Sequence, residues 1–131
     1  MSTPGNGIGK HRLRVRYCET DRMGVAHHGS YVAWFEEART EWLRARGKSY
    51  RELEDEGTLL QVTELTVQYV RSTTYDDELI VATSELERGK ASITLGYAVT
   101  FAADGALVAT GTTKLACVDR SGKILRLPAS I

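Results

Sequence analysis

One long helical pattern dominates this sequence. Apolar side chains recur at helical spacing after Ser30, and charged side chains fill the opposite face. Ser30 is a predicted N-cap, and Gly47 is the predicted end of the helix. A helix with so many aromatic residues on one face must be covered by another layer, so we predict that it is the central core element. The predicted buried face consists of Tyr31, Trp34, Phe35, Ala38, Trp42 and Ala45, and the polar face of Glu36, Glu37, Arg39, Glu41, Arg44 and Arg46.

Strand patterns lie on both sides of this helix. Residues 11–18 alternate, with Leu13, Val15 and Tyr17 on one side and arginines on the other. After the long helix, residues 49–56 predict a short helix, and residues 63–69, 78–87, 93–101 and 107–118 predict four strands joined by short turns. This order predicts an α+β fold, in which an antiparallel sheet of about five strands packs one face against the long helix.

The charge balance and composition exclude several classes of protein. Among 131 residues, 17 basic residues balance 17 acidic ones, so no net field favours nucleic acid. No apolar stretch approaches the roughly 20 residues of a membrane span. Cys18 and Cys117 lack metal-ligand spacing, and free thiols in a cytoplasmic protein are expected. We predict a flexible tail over residues 1–10, without the apolar segment of a secretory signal, and a single domain over residues 11–131.

The segment of residues 17–31 collects reactive side chains directly before the long helix. Asp21 lies in a glycine-containing loop, where a turn or capping role is one interpretation and a nucleophile or general base is the other. Burial beside Met23 and Val25 would raise the pKa of Asp21, whereas the nearby helix end would lower it. The residues alone leave both roles open.

The histidine pair of this segment does not fit a metal site. His11 is the only other histidine, and no cysteine or carboxylate stands at ligand spacing. The backbone N–H near His28 instead begins a helix terminus that could hold an oxyanion. Tyr17 could bind the same ligand through its hydroxyl or pack in the core. The sequence carries neither a Gly-x-Ser-x-Gly elbow nor a nucleotide-binding fingerprint, so no cofactor is expected.

The same segment closely resembles a known family. The resemblance lies with the acyl-CoA thioesterases of the 4-hydroxybenzoyl-CoA thioesterase class, and within it with the subgroup associated with the Tol–Pal cell-envelope system. It extends over residues 12–128. The motifs that carry it are Tyr17-x-Glu19-Thr20-Asp21-x-x-Gly24-Val25-x-x-His28-x-Ser30-Tyr31, Glu37-Ala38-Arg39-Thr40-Glu41 and Tyr75-Asp76-Asp77-Glu78-Leu79.

This resemblance implies a hot-dog fold, in which a sheet wraps around one long helix and copies pair through their sheet edges. A homodimer or homotetramer acting on acyl-CoA is therefore expected. Asp21 matches the catalytic carboxylate of the family, and His28 marks the helix start that polarises the thioester carbonyl. Tyr17 matches a tyrosine of the subgroup. The residues expected to bind substrate are Gly29, Tyr31, Arg88, Lys90 and Arg71. The basic residues among them are expected to bind the phosphates of CoA.

Two alternative functions stay open at this stage. A hydratase or dehydratase of the same fold would act on acyl-CoA or acyl carrier protein, with its carboxylate protruding from the helix. The loop position of Asp21 favours hydrolysis instead. A non-catalytic module that only binds acyl-CoA would not require Asp21 at all.

Overall fold

One antiparallel sheet and one long helix make up the fold. The computed structural model describes residues 9–131. The sheet has five strands in the order β1-β3-β4-β5-β2. This architecture confirms the predicted α+β class. The elements are β1 (Gly9–Arg14), a 3-10 turn (Tyr17–Glu19), α1 (Ser30–Ala45), α2 (Tyr50–Asp55), β2 (Leu59–Tyr69), β3 (Glu78–Arg88), β4 (Ser92–Phe101) and β5 (Leu107–Val118).

The boundaries of α1 follow from its end residues. Gly29, and not the predicted Ser30, occupies the N-cap position. The Ser30 hydroxyl is unavailable for capping because it donates a hydrogen bond of 2.9 Å to the carbonyl oxygen of Glu19. At the other end the helix stops at Ala45, and Gly47 adopts a φ of 111°, a left-handed conformation that favours glycine.

The core lies between α1 and the inner face of the sheet. The Phe35 ring stacks on Tyr97 of β4 with a centroid separation of 4.4 Å. Gly111 of β5 leaves room for this ring, because a Cβ there would come within 2.4 Å of Phe35 Cε2. The helix side of the core comprises Tyr31, Trp34, Phe35, Ala38, Arg39, Trp42 and Leu43. Ala45, which the periodicity placed on this face, is exposed.

The prediction of a strand over residues 11–18 was wrong at its C-terminal end. β1 stops at Arg14, and Tyr17 begins the 3-10 turn with its side chain 80% exposed. The turn forms because the Glu19 carboxylate accepts a hydrogen bond of 2.7 Å from the Arg16 backbone N–H. The Thr20 hydroxyl also donates to the Tyr17 carbonyl. These local bonds compete with the strand ladder, and they turn Tyr17 away from the side of Val15.

Arg39 was predicted on the polar face of α1 and is instead buried, with 6% of its surface exposed. Its Nε donates to the Tyr50 hydroxyl at 2.7 Å, and its Nη1 donates to the Tyr97 hydroxyl at 3.4 Å. Helical periodicity could not reveal these partners, because α2 and β4 supply them.

The sheet order differs from a simple run of hairpins. β3, β4 and β5 pair consecutively, but β2 crosses to the far edge and pairs with β5. β2 also begins at Leu59, four residues before the predicted start. As an edge strand it exposes apolar side chains, among them Val62, Leu65 and Tyr69.

The predicted flexible tail falls mostly outside the described residues. Of residues 1–10, the structure describes Gly9 and Lys10, which form the start of β1 and are therefore not part of a tail. Within residues 9–131, neither helix has the length and apolar character needed to cross a membrane.

Candidate active site

Asp21 opens a tight turn between the 3-10 turn and α1. Its backbone N–H donates to the Val25 carbonyl, and its own carbonyl accepts from the Gly24 N–H, each at 2.9 Å. Its Oδ1 atom accepts from the Met23 N–H at 2.9 Å. One carboxylate oxygen of Asp21 thus has the turn role that its local sequence allows. Asp21 and Met23 are both exposed, so the expected burial of the carboxyl beside Met23 does not occur within this chain.

The start of α1 is arranged by His27 and Tyr69. The Gly29 N–H donates to Nδ1 of His27 at 3.0 Å, so that ring nitrogen acts as the acceptor. The Tyr69 hydroxyl donates to the His28 carbonyl at 2.8 Å. Partial burial, and to a lesser extent Tyr31, raises the pKa of Tyr69, so its hydroxyl keeps the proton it donates. Within residues 9–131 the His28 N–H has no hydrogen-bond acceptor.

Four of the residues predicted from sequence line one cavity of about 360 Å³ at this helix start. Asp21 and His28 come from the loop, Tyr31 from the first turn of α1, and Arg71 from the segment after β2. The Arg71 guanidinium is held by a hydrogen bond of 2.8 Å to the Leu107 carbonyl. The remaining lining residues are Ala26, Tyr69, Val70 and Ser72.

Tyr17 lies in a different cavity, which it shares with Asp21. This second cavity, of about 880 Å³, is lined by the outer side of the loop and by Tyr75. The rings of Tyr17 and Tyr75 meet edge to face with centroids 5.7 Å apart. Asp21 therefore borders both cavities, and His28 and Tyr17 approach it from separate ones.

Arg88 and Lys90 form a third cavity, of about 400 Å³, together with Gly89, Arg126 and Leu127. Arg88 donates to the Glu85 carboxylate at 2.8 Å and to the Ile131 carbonyl at 2.7 Å. The hydrogen bond from Arg88 lowers the pKa of the Glu85 carboxyl. The cavity thus has a basic lining, but one of its cations already has an anionic partner.

Sequence reasoning assigned no site role to several residues that line these cavities, among them Tyr69, Tyr75 and Ser72. Tyr69 was assigned to strand packing, Tyr75 to a motif without a role, and Ser72 to none. The position of Tyr69 at the end of a strand was a usable signal, because strand ends often carry site residues. Its contact with His28 spans 41 residues of sequence and had no local signature. Within residues 9–131 no cluster of histidine, cysteine or carboxylate residues could hold a metal ion.

Comparisons with known proteins agree on one family for this chain. Residues 15–131 match the model of the thioesterase-like superfamily. The acyl-CoA thioesterase YbgC of Haemophilus influenzae is 34% identical over 108 residues, which cover 82% of this chain and 78% of that protein. A protein of Aquifex aeolicus that carries a provisional esterase name is 36% identical over 121 residues, 92% of each chain.

A solved structure agrees with these relatives. The crystal structure of a DHNA-CoA thioesterase from Staphylococcus aureus superimposes with a TM-score of 0.88 at 34% identity, covering 92% of this chain and 80% of that one. Together with the five-stranded sheet and the long helix, this likeness confirms the hot-dog fold.

Proposed function

Because this chain belongs to the thioesterase-like superfamily, we propose that it hydrolyses the thioester of an acyl-CoA to the free acid and CoA. The Haemophilus influenzae relative and the Staphylococcus aureus structure are named thioesterases, and the chain is likewise an enzyme of the thioester hydrolase class. The observation that carries the specific proposal is the cavity at the start of α1. There a carboxylate, Asp21, borders the same space as His28, whose backbone N–H has no acceptor within residues 9–131.

In the proposed reaction the thioester carbonyl oxygen accepts a hydrogen bond from the His28 N–H at the positive end of the helix dipole. One route is attack by the Asp21 carboxylate, which forms an acyl–aspartyl anhydride and breaks the C–S bond, after which water hydrolyses the anhydride. In the other route Asp21 takes a proton from the attacking water and returns it to the departing CoA sulfur. Label in the Asp21 carboxylate after a single turnover in ¹⁸O-labelled water would establish the first route, with water attacking the aspartyl carbonyl of the anhydride, because the second route never labels the protein.

Tyr17 has a peripheral part in this proposal. Its ring is largely exposed and borders Asp21 from the second cavity. A substrate lying over Asp21 would extend into that cavity and meet the Tyr17 hydroxyl. Gly29 allows the helix start to lie close to the His27 ring, because a Cβ there would come within 3.2 Å of His27 Nδ1.

Replacing His28 with alanine tests whether its backbone or its side chain acts on the carbonyl. If the backbone N–H alone acts, His28→Ala should lower kcat by less than about 10-fold, well below the roughly 10²- to 10³-fold effect of losing an oxyanion donor. The measurement is steady-state hydrolysis of an acyl-CoA with thiol detection. His11→Ala is the control, since it removes an imidazole that lines none of the three cavities and leaves the start of α1 intact. A loss above 10²-fold for His28→Ala alone would assign the role to the imidazole.

CoA phosphates require local cations on a chain without net charge. We place the phosphates at the basic cavity of Arg88 and Lys90, which Arg126 also lines, with Arg71 as a weaker candidate because it lies apart from these cations, at the cavity of the helix start. The KM for acyl-CoA should rise with ionic strength, and this dependence should flatten in the Arg88→Ala/Lys90→Ala double variant. The double variant Arg44→Ala/Arg51→Ala removes two exposed cations elsewhere and should keep the wild-type salt dependence. Equal salt dependence of KM in both double variants would show that the CoA phosphates do not bind in this cavity.

The two competing functions differ from the proposal in their products. A hydratase would convert a 2-enoyl-CoA without releasing thiol, and a binding module would bind acyl-CoA without any turnover. The position of Asp21 in the loop before α1 favours hydrolysis over hydration. Incubation with saturated and 2-enoyl acyl-CoAs, followed by thiol detection and product analysis, separates all three.

The same proposal includes the oligomeric state of the protein, its subgroup within the family and its location in the cell. The exposed apolar edge of β2, with Val62, Leu65 and Tyr69, supports a homodimer or homotetramer, because an unpaired apolar edge strand favours association. His28 and Tyr17 support the Tol–Pal-associated subgroup, and the free thiols Cys18 and Cys117 suit a reducing cytoplasm. A panel of acyl-CoAs, including 4-hydroxybenzoyl-CoA, would identify the substrate.

A further inference from the structure

Glu19 is a buried carboxylate directly before the candidate active-site turn. Its side chain is enclosed, with 7% of the residue surface exposed. Oε1 accepts from the Arg16 backbone N–H at 2.7 Å. Oε2 accepts from the Arg16 guanidinium at 3.2 Å and from the indole N–H of Trp34 at 3.0 Å. Trp34 is 2% exposed, so no solvent can replace this acceptor for its N–H.

The backbone of Glu19 binds the far end of the same loop. Its carbonyl oxygen accepts from the His27 N–H at 2.7 Å and from the Ser30 hydroxyl at 2.9 Å. Glu19 therefore contacts Arg16 at the start of the 3-10 turn, the last loop residues and the second turn of α1 at once. The five hydrogen bonds that its oxygens accept join Arg16, the last loop residues and α1.

We propose that Glu19 is a positioning residue, whose buried carboxylate fixes the Asp21 turn relative to the start of α1. This inference rests on the proposed thioesterase function. Asp21 follows Glu19 by two residues and begins the turn closed by Val25, so a shift of Glu19 is transmitted to the Asp21 carboxylate. Attack on a carbonyl held by the His28 N–H depends on the separation of these two groups, and small displacements reduce such rates strongly.

The Glu19→Gln variant tests this role while keeping the shape of the side chain. One amide oxygen can still accept from the Arg16 N–H. The amide NH₂ group would then face the Trp34 N–H and the Arg16 guanidinium, which are both donors. We expect kcat for acyl-CoA hydrolysis to fall by about 10- to 100-fold with little change in KM, because binding contacts remain and the geometry of attack is lost.

Trp34→Phe is the second variant, since it removes the indole donor and keeps an aromatic ring in the core. It should lower kcat in the same direction. The double variant should lose less than the product of the two single effects, because both substitutions break the same contact. Ile93→Ala is the control for loss of stability, since Ile93 is buried on β4 next to Leu115, far along the sheet from the turn. It should lower Tm and retain kcat at temperatures where it is folded.

Amide hydrogen exchange provides a readout that does not need activity. In Glu19→Gln and Trp34→Phe, exchange should accelerate at His27 and Met23, whose N–H groups bind Glu19 and Asp21, and stay unchanged in β4. Unchanged exchange at both amides, or wild-type kcat in both variants despite a lower Tm, would overturn the positioning role. A wild-type protein that does not hydrolyse any acyl-CoA would contradict the proposed function instead, and the exchange result would still decide the role of Glu19.

Discussion

Asp21→Asn is expected to lower kcat for acyl-CoA hydrolysis by about 10³-fold or more while the protein stays folded. Asparagine can still accept the hydrogen bond from the Met23 N–H that closes the turn, so local structure should persist. It can neither attack a carbonyl as an anion nor take a proton from water. The measurements are thiol release from acyl-CoA and, for folding, circular dichroism and the elution volume in size-exclusion chromatography.

Asp119→Asn is the matched control for this substitution. Asp119 forms the same kind of turn, with its Oδ1 accepting from the Ser121 N–H at 2.9 Å, at the other end of the sheet after β5. Its substitution should leave kcat unchanged. Near wild-type turnover in Asp21→Asn would reduce Asp21 to the turn residue that its local sequence also permits.

Gly111→Ala is expected to have the largest effect on stability, about 3 kcal/mol or more. A Cβ at this position would lie 2.5 Å from the Thr66 carbonyl oxygen and 2.4 Å from Phe35 Cε2. Neither neighbour can move freely, because Thr66 is part of the β2–β5 ladder and Phe35 is fully buried against Tyr97. Urea unfolding followed by fluorescence would measure the loss in the free energy of unfolding. A low yield of soluble protein would be consistent with this loss.

Gly96→Ala provides the comparison in the neighbouring strand. A Cβ there would also be close to a neighbour, at 2.9 Å from Leu86 Cδ1. That neighbour is the end of a flexible side chain that is 59% exposed, so it can turn aside at low cost. We expect a loss below about 1 kcal/mol. Equal losses at the two glycines would show that backbone crowding does not explain the requirement at Gly111.

The elements that were predictable from sequence are those with a local signature. The aromatic face of α1, the alternation in β3 to β5 and the stop at Gly47 all follow from repeats and end residues that a short window contains. The grouping of Asp21 and His28 was accessible for the same reason, since both stand in one loop before a strong helix. The resemblance to thioesterases rested on these same positions.

The errors arose where a distant segment decides the environment. Arg39 is polar in sequence and buried in the fold, because hydroxyls from α2 and β4 satisfy its guanidinium. The strand over residues 11–18 ended early, because the Glu19 carboxylate accepts hydrogen bonds from the Arg16 backbone N–H and from the Trp34 indole N–H. The predicted run of four hairpin-linked strands failed at β2, since strand alternation does not encode which neighbour a strand pairs with.

Local periodicity was therefore sufficient for the class of the fold and for the loop that carries Asp21. Only the packed structure could place Tyr69 on the His28 carbonyl and Glu19 beneath the turn, because those contacts join residues 41 and 15 positions apart. It also separated Tyr17 from His28 by turning the chain at the 3-10 turn. Hydrogen bonds between distant segments form only after the chain has collapsed, and a one-dimensional pattern carries no record of them.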